Sequence, residues 1–117
     1  MNLSIDSTNN LKTIIALDDQ EYFTDYDQPQ DQDVLGAIDK ALKRNHKTFS
    51  DVTAIVVNPG PGSFTGTRVG VAIANALAFA LSIKVNNQDP PLIPIYAKEP
   101  NITTPGKPKS SGLKIQP

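Results

Sequence analysis

The sequence contains no cysteine and no tryptophan, one methionine and one histidine, and aromatic residues make up only 6% of it. Without cysteine there are no disulfides, no thiolate nucleophile and no zinc-thiolate site. His46, alone beside a helix end, has no companion for a triad or a histidine metal centre, and no carboxylates fall in a calcium-loop spacing. It reads as a solvated surface residue, so neither a catalytic nor a metal-binding set is expected. A strong net charge is also missing: eleven basic residues face twelve acidic ones, a formal charge of −1 that argues against a protein built to coat nucleic acid. The opening "MNLSIDSTNN" lacks a basic region ahead of an apolar core, so no signal peptide is expected. The longest apolar run, residues 69–83, is interrupted by Asn75 and Ser82 and falls short of the ~20 residues of a membrane span. These absences point to a soluble, cytoplasmic protein.

What is present is unevenly placed. Residues 18–33 carry Asp18, Asp19, Glu21, Asp25, Asp27, Asp31 and Asp33 with no Lys or Arg, whereas from Arg68 onward there are six basic residues and two acidic ones. An acidic face of that kind repels phosphates. At 117 residues the chain is expected to form one domain. Strands are predicted at 3–6, 11–17 and 21–26, close enough for an antiparallel meander. A helix is predicted from an N-cap at Asp31 or Asp33 to about Arg44, with an Asp39–Lys43 pair one turn apart. The run "VTAIVV", residues 52–57, lacks alternation, as expected of a strand covered on both faces. A second helix is predicted over about 66–82, after which "IKV" starts a further strand. The order βββαβα(β) gives an α/β layer fold with a mixed sheet flanked by helices. Residues 1–86 form the lobe, 87–99 a linker with a terminal strand, and 100–117 a flexible tail, since seven of the ten prolines follow Asn86.

The loop "NPGPGSFTGTR" between the buried strand and the second helix offers three readings. A helix N-terminus behind a glycine loop suits an anion. Its spacing fits neither known phosphate loop: Gly66 is followed by Thr67 and Arg68 rather than Lys and Ser or Thr, and counted from Gly60 the third glycine of a dinucleotide fingerprint falls one place late. A nucleophile at Ser63 would want glycine two places to either side, where Pro61 and Thr65 stand. The plain reading is a strand-to-helix turn. Thr65 is a candidate cap for the helix, which puts Arg68 in its first turn, where the dipole disfavours a cation. Asp6, a partner's carboxylate, a phosphate or water are the candidates to compensate it.

The second helix is apolar on two sides. Val69, Ile73, Ala76, Leu77 and Ala80 line one, and Val71, Ala74, Ala78 and Leu81 nearly the opposite one. A small two-layer domain covers one such face, so the second is expected either to bind a partner or to lie under loops and the tail. The small residues at 74 and 78, with Val34, Ala37 and Ala41 on the first helix, mark the expected interface.

Residues 60–80, "GPGSFTGTRVGVAIANALAFA", resemble the signature of the bacterial TsaB (YeaZ) family: GPGSFTG, then an arginine, then an alanine-rich helix. "LSIDSTNN" is similar to the family's opening strand and turn, and "PIYAKEPNITTP" to its C-terminal tail. The resemblance implies one lobe of the actin-like ATPase (ribonuclease H-like) fold and a noncatalytic partner of the TsaD enzyme, which makes N6-threonylcarbamoyladenosine in tRNA. It implies binding to TsaD through the two helices of this lobe, a homodimer through the same helices, a TsaE ATPase in the larger assembly, and only indirect contact with tRNA. The family-motif loop is then Gly60, Pro61, Gly62, Ser63, Phe64, Thr65, Gly66 and Arg68, and the interface Val34, Ala37, Ala41, Val71, Ala74, Asn75, Ala78 and Leu81. Asn75 stands where the family often has lysine. Asp6 and Ser7 resemble the first phosphate motif of the superfamily, but the family's second lobe does not appear in the sequence, so no bound cofactor is expected. The competing expectation is a small nucleotide- or phosphate-binding protein using Asp6, the loop and Arg68.

Overall fold

Alternation over the first 25 residues sends Leu3, Ile5, Thr13, Ile15 and Leu17 to one side of a sheet and Ser4, Asp6 and Ile14 to the other. A computed structural model describes residues 1–95. Strands β1 (Asn2–Asp6), β2 (Lys12–Leu17) and β3 (Gln20–Asp25) form the expected antiparallel meander, with Ile5 opposite Ile15 and Ile15 opposite Tyr22. Strand β4 (Ala54–Val57) joins parallel to β1, giving the order β3-β2-β1-β4. The predicted fifth strand is reduced to one residue: Val85 makes an isolated parallel bridge to Ile55. Beyond it the Asn86 side chain takes the place of a strand, accepting from Val57 N at 2.8 Å and donating to Val57 O at 3.0 Å. The outer edge of β4 is thereby closed to further strand pairing.

Helix α1 (Val34–Arg44) starts where the sequence placed it, with the Asp33 carboxylate accepting from Gly36 N at 2.9 Å and Lys43 paired to Asp39 at 3.0 Å. Helix α2 (Phe64–Leu81) is capped by Ser63, not by Thr65. Ser63 N donates to Thr8 O at 2.7 Å, which pins that residue outside the helix and turns its hydroxyl toward Gly66 N. Thr65 is left exposed inside the first turn.

Both helices pack on the same face of the sheet. Ile38 and Leu42 of α1 and Val71, Ala74 and Ala78 of α2 close over Leu3, Ile5, Ile15, Ile55 and Val57. Each fully buried aliphatic side chain there contributes roughly 1.5–3 kcal/mol of transfer free energy. Among the described residues no helix covers the other face of the sheet, so they do not cover β4 on both faces as its apolar run predicted. Ile55 and Val57 are buried while Val56 between them is 51% exposed. An unbroken apolar run therefore marks a strand here without marking two covered faces.

By length and composition alone α2, with 18 residues and a mean hydropathy of 1.4, is long and apolar enough to cross a membrane. Its Gly66, Gly70, Val71, Ala74 and Ala78 side is buried against the sheet, as in the core helix of a globular domain. After Val85 the chain returns along α2. The Asn75 side chain holds Leu92 by a pair of bonds, Nδ2 to O at 2.9 Å and Oδ1 from N at 2.7 Å, and Ile95 N donates to Pro59 O. Of the linker and terminal strand expected at 87–99, residues 87–95 are described and carry only an isolated bridge from Gln88 to Val85, while 96–99 and the tail at 100–117 lie outside the described residues.

Candidate functional site

The glycines of the loop are there for close packing. Gly60 has φ +106°, a conformation that side-chain-bearing residues rarely adopt. A Cβ on Gly62 would stand 2.5 Å from Thr8 Cβ, and one on Gly66 would stand 2.4 Å from the Ser7 carbonyl oxygen. The loop and the start of α2 thus press directly on the backbone that leaves β1. Three of the loop's donors are engaged within the protein, Gly60 N to Asn58 Oδ1 at 3.0 Å, Ser63 N to Thr8 O and Gly66 N to Ser63 Oγ at 3.3 Å, while Pro59 and Pro61 have no N–H. Such a turn is a rigid support for α2 and a poor cradle for an anion.

Asp6 and Ser7, adjacent in sequence, are parted by the pleat. Ser7 is buried on the helix side, where its hydroxyl donates to Gly66 O at 2.7 Å. Asp6 lies on the open side, accepting from Thr8 N at 3.0 Å, Thr8 Oγ1 at 2.7 Å and Asn58 Nδ2 at 3.1 Å. The two do not form one phosphate site. Burial of the Asp6 carboxyl works to raise its pKa, but the donations from Thr8 and Asn58 outweigh it and hold the group below the usual carboxylate range. The stability this provides is complete above the unfolded value near ~3.9 and is lost as pH falls through the lower folded value. Asp6→Asn is expected to cost about 0.5–1 kcal/mol in urea unfolding at neutral pH, discounted because the carboxyl is only partly buried, with the difference from wild type shrinking as pH falls through the lower folded value. A difference independent of pH would overturn this.

Arg68 is not compensated by Asp6. Its guanidinium stacks over the Phe64 ring, 5.1 Å from the centroid, one turn back on α2. Thr67, next to it, is fully buried with an unpartnered hydroxyl among the described residues.

The larger correction concerns the interface. Val34, Ala37 and Ala41 of α1 and Val71, Ala74 and Ala78 of α2 are all buried in the core of the lobe. Leu81 is half-buried against that core, and Asn75 is occupied in holding Leu92. The physical reason is the spacing of small residues: Gly66, Gly70, Ala74 and Ala78 recur every fourth position and let α2 lie close on its own sheet. Of the opposite side drawn from the sequence, Val69, Ala76 and Ala80 are exposed while Ile73 and Leu77 pack partly against the core. Phe64, Val69 and Phe79 are 54%, 40% and 80% exposed, and Ala72, Ala76 and Ala80 are exposed between them. Phe79 and Ala72 escaped the sequence reading. A signal was available in Phe79, the largest apolar side chain of α2 beyond its first turn, on neither of the two faces drawn. Two shallow depressions lie on this side. One of about 220 Å³ is lined by Thr65, Arg68, Val69 and Ala72, and one of about 410 Å³ lies beside Phe79 and Ile83. The result is an apolar ridge along the 18-residue helix, with small side chains between bulky ones.

Residues 30–87 match the family model described as TsaD, tRNA N6-adenosine threonylcarbamoyltransferase. The chain is 31% identical to the tRNA threonylcarbamoyladenosine biosynthesis protein TsaB of Bacillus subtilis, in an alignment covering 63% of this chain and 39% of that protein. It is 38% identical to the tRNA N6-adenosine threonylcarbamoyltransferase of Staphylococcus saprophyticus over 54% of this chain and 16% of that one. Among solved structures, YeaZ from Pseudomonas aeruginosa superposes with a TM-score of 0.60 at 26% identity, covering 72% of this chain and 42% of that one. The chain thus spans about two fifths of the TsaB and YeaZ chains it matches here.

Proposed function

We propose, for a chain whose lobe belongs to the TsaB/YeaZ family, that it serves as a noncatalytic partner of a TsaD-type enzyme in forming N6-threonylcarbamoyladenosine in tRNA. The lobe has the α/β architecture of the actin-like, ribonuclease H-like fold. The observation that carries the proposal is the bare apolar side of α2, centred on Val69, Ala72, Ala76 and Phe79. An apolar ridge of this length is an interaction surface or a liability. Small residues along it let a partner helix approach closely, and Phe64 and Phe79 offer bulky anchors of the kind that dominate binding energy. In this reading the glycine loop aims α2, tRNA is met only through the enzyme, a TsaE-type ATPase joins the larger assembly, and the setting is cytoplasmic. A homodimer through the same ridge is its natural competitor for that surface. The reading as a nucleotide-binding protein has less support, because Gly60 N, Ser63 N and Gly66 N are engaged within the protein and Asp6 and Ser7 point apart.

Sedimentation velocity of the chain with a TsaD-type enzyme, with and without ATP, tests the proposal. A heterocomplex is expected, formed at the expense of any homodimer and lost in Phe79→Asp, which changes an exposed position. A monomer that ignores the enzyme in both nucleotide states would sink it.

A further inference from the structure

The side of the sheet opposite the helices is an open bowl of about 500 Å³. Ile14, Ala16 and Val56 make its apolar floor, and Asp6, Asp18, Asp19 and Glu21 stand around it with no lysine or arginine in the lining. None of these four carboxylates forms an ion pair among the described residues. Whatever covers this floor must bring apolar side chains and positive charge together.

The chain itself carries such a segment. Residues 96–117 contain Lys98, Lys107, Lys109 and Lys114 and no carboxylate side chain after Glu99, and "GLKI" at 112–115 sets Leu113 and Ile115 on either side of a lysine. The segment departs from the right place. Ile95 is bonded to Pro59, the residue after Asn58, and Asn58 both lines the bowl and binds Asp6. Crossing the sheet from there to the Asp18–Glu21 end takes about 17 Å, the length of a five-residue strand. Twenty-two residues reach up to about 70 Å, so even the last lysines arrive with slack.

We propose that the segment 96–117 is the occupant of this bowl, its lysines facing Asp6, Asp18, Asp19 and Glu21 and Leu113 and Ile115 on the Ile14–Val56 floor. The inference is independent of which protein binds α2, since the bowl and the ridge lie on opposite sides of the sheet.

Two measurements on the full chain decide it. Carbodiimide coupling of carboxylates to lysines is expected to join Lys107, Lys109 or Lys114 to Asp18, Asp19 or Glu21 within one chain, in the monomer band, with a several-fold lower yield at about 1 M salt. Reversing the charges together (Lys107→Glu, Lys109→Glu, Lys114→Glu) is expected to move the methyl resonances of Ile14 and Val56 and leave those of Ile38 and Leu42 in place. Methyl shifts that ignore the reversal, or crosslinks formed only between two copies or not at all, would overturn the proposal. The packed core of residues 1–95 includes none of the substituted lysines, so the variant keeps the fold on which the readout depends.

Discussion

Ala74→Asp is expected to destabilise the fold by several kcal/mol, whereas Val69→Asp, on the other side of the same helix, leaves the fold intact and abolishes partner binding. Ala74 is fully buried between α2 and the sheet, with Val71 and Ala78 beside it and Ile5 and Ile55 in the same core. A carboxylate there has no cation to meet, and burying an unpaired charge costs several kcal/mol, about 3–5 even after local relaxation. Domains of this size have only about 5–15 kcal/mol in hand. Val69 is 40% exposed, so an aspartate in its place stays in water and the cost to stability is about 0.5 kcal/mol or less. Desolvating that carboxylate in an apolar interface, however, should weaken binding by about 100-fold or more. Circular dichroism and sedimentation with the TsaD-type enzyme read the two effects separately. A folded Ala74→Asp protein that fails only in binding would restore the interface expected from the sequence and refute the one assigned from the structure.

Gly66→Ala is expected to destabilise the lobe by about 2–3 kcal/mol, in a position where helix propensity alone would stabilise it by about 1 kcal/mol. The sign is the test. A Cβ at 66 would come within 2.4 Å of the Ser7 carbonyl oxygen and 2.9 Å of Gln32 Oε1, and the first of these belongs to backbone that cannot rotate away. The nearby contact from Ser7 Oγ to Gly66 O, at 2.7 Å and buried, would be strained by the same displacement. Urea unfolding of Gly66→Ala beside wild type measures it. A gain in stability would mean that α2 does not approach β1 as closely as described, and that the loop glycines serve something other than packing.

The meander, the two helices and their order were legible because each depends on signals within a few residues. Asp33 ahead of an amphipathic run gives α1, and strand spacing too short for a crossover forces β1 to β3 antiparallel. The family motif at 60–68 was legible for the same reason, being contiguous. Which side of α2 faces inward was not. Both sides are apolar, and Ala74 and Ala78 suit a partner helix and the domain's own sheet equally well by composition. The sheet claimed them because Gly66 and Gly70 continue the same small-residue row to the point where α2 meets β1. Asp6 and Ser7 were likewise grouped, through their resemblance to a phosphate motif, although successive residues of an extended chain point to opposite faces.

By itself, then, the sequence determined the secondary elements, the strand-loop-helix motif, and the presence of more apolar helix surface than one small domain covers. Only the tertiary structure decided which surface remained. It buried the small-residue row, left Val69 and Phe79 outside, and placed both described helices on one face of the sheet. The reason is that periodicity fixes the angular relation of residues around a helix but not the rotation of that helix about its axis. That rotation is set by the closest backbone approach available, and the contact of Gly66 with the Ser7 carbonyl sets it here.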